Sequence, residues 1–128
     1  MNEYSKRANL LLHNYFPPRQ DKLVLNLGSN NVMVWEKSLE HFRRLIRLSE
    51  SADSRYISIH AGFLKETTET ELNPAGPGFT SKRLEDYETA TKRFIVGCQE
   101  LVKYGMKFGV NLLVENNVCT KSNFRNSR

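Results

Sequence analysis

The sequence predicts an α/β protein whose strands run parallel. Three observations lead there. Apolar runs at Leu10–Leu12, Tyr56–Ile59 and Val110–Val114 have the length of strands. The two stretches between them repeat apolar residues at helical spacing. Strand, helix, strand, helix, strand is the order that right-handed crossovers require, with helices layered on a parallel sheet. The runs are nearly continuous, as strands covered on both faces are.

The first strand is expected over Ala8 to Tyr15, before Pro17 and Pro18 break regular structure. Leu23–Leu27 is a further apolar run, readable as a short strand or an extended loop, closed by Gly28. Ser29, Asn30 and Asn31 then offer turn or N-cap chemistry. A helix follows, with Val32, Trp35, Leu39, Phe42 and Ile46 on one face and Glu36, Glu40 and Arg44 on the other. It fades over Ser49 to Ser54. The next strand starts at Tyr56 and ends in His60-Ala-Gly62.

From Phe63 to Thr80 there is no usable periodicity, and Pro74, Gly76, Pro77 and Gly78 interrupt the chain. A loop of that length is either a lid or substrate-contact segment or a disordered excursion. Ser81 is placed to cap the second helix. Its buried stripe is expected at Leu84, Tyr87, Phe94, Cys98 and Leu101, with Ile95 and Val102 beside it, and Gly105 or Gly109 ends it. The last strand, Val110 to Val114, delivers Glu115. Cys119 to Arg128 is polar and carries no partner pattern.

The chain has 128 residues, which suits one domain over residues 1–128. No apolar run approaches the roughly 18 residues that span a bilayer. Met1 to Arg7 lacks the apolar core of a signal peptide, so a cytoplasmic location is expected. Cys98 reads as helix packing and Cys119 as a loop thiol, both reduced. The net charge of +5 and a pI near 9.4 permit attraction to nucleic acid or phosphate. The excess lies in Arg43, Arg44 and Arg47 and in Lys121, Arg125 and Arg128. These read as a solvated helix face and a frayed end. His41, mid-helix among charges, is expected at the surface.

Each of the three main strands ends on a side chain able to hold a metal: His13, His60 and Glu115. In parallel α/β sheets chemistry gathers past the carboxyl ends of the strands. Neutral imidazole and carboxylate are common ligands for zinc and for manganese or iron, and the cofactor expected is a divalent metal: zinc, manganese or magnesium. Two readings stand. The three side chains form a divalent metal site, with Glu115 also available as a base; or they are hydrogen-bonded strand ends and turn caps. Asn14, Asn26, Asn116 and Asn117 either bind a polyol or phosphate, orient the ligands, or form turns. Tyr15 and Phe16 either stack on a sugar or base or pack.

The segments His13-Asn-Tyr-Phe-Pro-Pro18, Leu25-Asn-Leu-Gly28, Ile59-His-Ala-Gly-Phe63 and Leu113-Val-Glu-Asn-Asn-Val118 resemble the xylose isomerase-like TIM-barrel superfamily. That group includes sugar phosphate isomerases and epimerases and the endonuclease IV type of apurinic endonuclease. The resemblance runs from about Ala8 to Phe124. It implies that the chain is part of a (β/α)8 barrel, and that His13, His60 and Glu115 are metal ligands as in the endonuclease branch. In the sugar branch it implies a metal-bound glutamate at Glu115, near the carbon whose proton moves. There the matching histidines are less fixed as ligands.

The family barrel has eight strands, and its remaining ligands and acid/base residues come from strands after the motif at Glu115. The chain is therefore expected to be a fragment that begins near the second strand. The function implied is a metal-dependent sugar phosphate isomerase or epimerase. The alternatives are an apurinic endonuclease-like phosphodiesterase, or an inactive fragment or complementing subunit. The partners implied are a sugar or sugar phosphate and either the missing half-barrel or a second copy, with nucleic acid less favoured and no membrane.

Overall fold

Apolar residues at two different periods build a sheet covered on one side by two helices. The computed structural model describes residues 10–21, 23–63 and 87–116. The elements are β1 (Leu12–His13), α1 (Val32–Ser51), β2 (Tyr56–His60), α2 (Tyr87–Met106) and β3 (Asn111–Glu115). The three strands form one sheet in the order β1-β2-β3, and both pairings are parallel. No helix among the described residues is long and apolar enough to cross a membrane.

α1 starts where Asn31 caps it, its side chain accepting from the backbone N–H groups of Met33 and Val34. It stops at Ala52, and Asp53 turns away with φ of 56°. The buried face runs through Val34, Ser38, Leu39, His41, Phe42, Leu45, Ile46 and Ser49. That stripe carries Leu39, Phe42 and Ile46 as expected, with Trp35 packed against the core, and differs in the first turn, where Val32 is 66 % exposed and Val34 takes the buried place. His41 is a second correction. It is buried on the stripe, and its Nε2–H donates to the carbonyl of Asn14 at 3.0 Å. Position 41 lies between Ser38 and Leu45 on the same face, so charged neighbours in sequence do not decide its exposure.

α2 differs more from expectation. Its buried residues are Ala90, Gly97, Leu101 and Gly105, whereas Tyr87, Ile95 and Val102 are exposed. Leu101 is buried and Phe94 and Cys98 pack against the core as expected, while Ala90, Gly97 and Gly105 let the helix approach its neighbours closely. At Gly105 a Cβ would lie 2.4 Å from the carbonyl oxygen of Val110. The helix runs past Gly105 to Met106. Gly109, with φ of +66°, makes the left-handed turn into β3. Leu84 and Ser81 lie outside the described residues, as do residues 64–80, Asn117, Cys119 and the tail.

The core joins Leu25, Leu27, Leu39, Phe42, Leu45, Ile46, Ile57, Ile59, Leu101 and Val110. Each such side chain contributes about 1.5–3 kcal/mol on burial. Leu23–Leu27 forms none of the three strands, making a single bridge at Leu23 before it runs on as a loop. It follows the extended-loop reading and lays Val24, Leu25 and Leu27 into the core. β1 is shorter than expected, because the chain turns at once after it, with Phe16 N–H donating to the His13 carbonyl at 2.8 Å. Two of the three helix arginines bear on α2 and the turn after it, rather than on solvent alone. The Arg43 guanidinium sits 5.7 Å from the Tyr104 ring centroid, and that of Arg47 sits 4.8 Å from that of Phe108. Cys98 is half-buried against the core, and burial pushes its thiol up to about 11, which keeps it protonated and inert.

Candidate metal centre

Register places the three strand-end residues together. His13 pairs with Ser58, Ser58 with Leu113, and His60 with Glu115. Side chains alternate along a strand and agree across paired positions. His13, Ser58, His60 and Glu115 therefore share one face of the sheet. Ile57 and Ile59 take the other, where they are fully buried in the core with residues of α1 and α2.

On the open face, His13 Nε2 lies 3.3 Å from Glu115 Oε2, and His60 Nε2 lies 4.0 Å from the same oxygen. The histidine rings meet edge-on at 4.7 Å between centroids. One potential ligand atom from each of His13, His60 and Glu115 falls within 4.8 Å of the others. A tetrahedral ion with bonds of about 2.0–2.2 Å sets its ligand atoms about 3.4 Å apart, so two imidazoles and a carboxylate at these separations fit such an ion with small closing movements. The cluster is reachable: the side chains of His13 and Glu115 are about half exposed, and that of His60 about a quarter.

The surroundings bias the charges. Glu115 is held below the usual carboxylate range, first by the Ser58 hydroxyl donating to Oε1 and then by the two histidines. Burial depresses His60, and His13 adds to that while Glu115 opposes it. An anionic carboxylate facing a neutral imidazole is the protonation state that a cation requires.

Two asparagines brace the site from behind. Asn14 is buried, and its side-chain oxygen accepts from the His60 backbone N–H at 3.1 Å. His41 grips the Asn14 carbonyl, so α1 reaches the cluster through this residue. Asn26 is also buried. Its Oδ1 accepts from the N–H groups of Gly28 and Phe63, and its Nδ2 donates to the Phe63 carbonyl. That clamp binds the loop after β2 to the loop before α1. A Cβ on Gly62 would lie 2.8 Å from Asn26 Oδ1 and 2.9 Å from Gly28 N, so Gly62 permits the close approach. Asn14 and Asn26 thus support the site's framework, while Asn116 is exposed. Tyr15 is exposed, its ring 6.4 Å from that of His60, at the edge of the cluster.

Ser58 and His41 are the positions tied to the cluster that motif reading passes over. Ser58 was findable by parity, two residues before His60 on the same face. The link from His41 to Asn14 spans 27 residues and has no local signature. A pocket of about 300 Å³ at the amino end of α1, lined by Ser29, Val32, Trp35, Arg93 and Val96, contains none of the cluster residues.

No protein-family model matches the sequence, and no curated protein matches it. The structure is similar to the crystal structure of a D-tagatose 3-epimerase-like protein, with a TM-score of 0.62 and 19 % sequence identity. The match covers 90 % of this chain and 35 % of that one. The fold is therefore that of part of a (β/α)8 barrel, and the chain spans about a third of the length of the structure it matches.

Proposed function

We propose that this chain supplies the metal-holding part of an active site that moves a proton beside a sugar carbonyl. One observation carries the reading: His13, His60 and Glu115 meet on the open face of the sheet, at the carboxyl ends of three adjacent parallel strands. Likeness to a D-tagatose 3-epimerase-like protein supports a sugar or sugar phosphate as substrate. A divalent cation held by these three residues, whether zinc, manganese or magnesium, would supply Lewis acidity to the oxygens of the sugar.

The residues themselves do the rest. His13 and His60 present imidazole nitrogens toward Glu115 Oε2, and burial keeps His60 neutral to lower pH than a free histidine. Glu115 is the charged member. Two roles were open to it, ligand and base. A base works best with a pKa raised toward the working pH. Glu115 is shifted the other way, which favours its role as a ligand beside the reacting carbon. The proton-carrying groups then come from further barrel strands, contributed by more sequence, by a complementing half-barrel or by a second copy.

The test is deuterium exchange from solvent into a ketose or its phosphate by the chain completed with a complementary half-barrel. Exchange that requires metal and falls to background in Glu115→Gln is the expected result. Undiminished exchange in the variant overturns the proposal.

A second reading has its own support. Both histidines lie with the glutamate, and this donor set is the one that the resemblance implies for apurinic endonucleases. Cleavage of an abasic-site oligonucleotide, abolished by a chelator, would favour that reading over the sugar one. Against it, Arg43 and Arg47 are engaged with the rings of Tyr104 and Phe108.

A further inference from the structure

Ser58 sits at the centre of the open face. It is in register with His13 on one side and Leu113 on the other, one row before the His60–Glu115 pair. It is fully buried, although His13 and Glu115 beside it are about half exposed. A serine there does little for the sheet itself, because Val, Ile and Thr suit mid-strand positions better. A buried hydroxyl is also costly unless it finds a partner. Its partner is Glu115 Oε1.

That bond divides the carboxylate. An exposed glutamate side chain is free to turn, and ordering it costs conformational entropy. With Oε1 held by the hydroxyl, Oε2 is the oxygen left facing His13 at 3.3 Å and His60 at 4.0 Å. A neutral donor does this without cancelling the negative charge, as a lysine or arginine would. We propose that Ser58 is the positioning residue of the cluster, fixing Glu115 as a one-oxygen ligand of a divalent cation. The inference rests on the reading of His13, His60 and Glu115 as a cation site.

Cobalt(II) is the probe, because its visible absorption reports the number and kind of its ligands. Wild type, Ser58→Ala, Ser58→Val, Ser58→Thr and Glu115→Gln are titrated with cobalt chloride as the full 128-residue chain. Wild type is expected to bind one ion. Ser58→Ala binds about 10–100-fold more weakly, with an altered visible band as the released oxygen joins the ion. Ser58→Thr, which keeps the hydroxyl, restores both affinity and band. Ser58→Val, which matches threonine in shape and lacks the hydroxyl, repeats the Ser58→Ala result with a full side chain, so cavity formation does not explain it.

Melting curves without metal check that each variant is folded. If Ser58→Ala and Ser58→Val bind with wild-type affinity and band while Glu115→Gln does not bind, Ser58 is a filler. This inference then falls and the cation site stands. If wild type binds no cobalt, the cation site itself falls and takes the inference with it.

Discussion

The two faces of β2 carry different work within five residues. Ile57 and Ile59 point into the helices and are sealed from water; Ser58 and His60 point to the open face with His13 and Glu115. One face is built into the core and the other carries the proposed cation site, and a period of two residues separates them. The contrast leads to the expectation that the side chains of His13, His60 and Glu115 can be altered without dismantling the fold beneath them.

The largest expected effect breaks or upholds that separation. Ile59→Ala should cost about 2–5 kcal/mol in denaturant unfolding, since it opens a cavity beneath both helices. His60→Ala, on a side chain about a quarter exposed and without a close hydrogen bond to its ring, should cost under about 1 kcal/mol. Equal losses in the two variants would show that the cluster is part of the core.

A smaller effect sharpens the boundary between the faces. Gly62→Ala sets a methyl group against Asn26 Oδ1 and the Gly28 nitrogen, both backed by buried loops. Overpacking of this kind costs about 1–3 kcal/mol. The loop that follows His60 must then shift, so metal affinity should fall together with stability. A stability loss with unchanged metal affinity would show that the loop clamp does not position His60.

These contrasts also explain what the sequence disclosed. The alternation of strands and helices was legible because periods of two and about 3.6 residues differ plainly, and it led to the parallel sheet. The three strand ends were legible because each apolar run stops at a ligand-capable side chain. The buried face of α2 was legible at Phe94, Cys98 and Leu101 but not at Ala90, Gly97 and Gly105, because hydrophobicity patterns weigh such small residues lightly. Leu23–Leu27 was ambiguous because an apolar run serves equally as strand or buried loop. His41 and Asn14 were hidden because their bond joins a helix to a distant turn.

The smallest effect is the pH dependence of stability. Burial lowers His41 below the usual histidine range. The Asn14 carbonyl bond works against that shift, Arg19 and Arg44 add to it, and Asp21 opposes it. His60 is lowered too. For both, the unfolded chain takes up a proton near pH 6.5 while the folded chain does not, so stability is full above that pH and falls as pH drops below it. Glu115, also lowered, gives stability present above about pH 4.5 and lost at lower pH. The melting temperature should therefore decline from pH 7.5 to 5.5. His41→Gln should flatten that decline relative to its own value at pH 7.5. A flat wild-type profile would contradict the lowered proton affinity of both histidines.

The central claim is that His13, His60 and Glu115 form one cation site on the open face. Thermal melts of the wild-type chain with and without zinc or manganese test it most directly. A ligand that binds only the folded state at a hundred times its Kd adds about 2.7 kcal/mol. The predicted result is a cooperative transition that moves up with metal in the wild type, and stays in place in a variant combining His13→Ala, His60→Ala and Glu115→Gln. A wild-type transition that ignores metal, or an equal rise in the triple variant, would contradict the site.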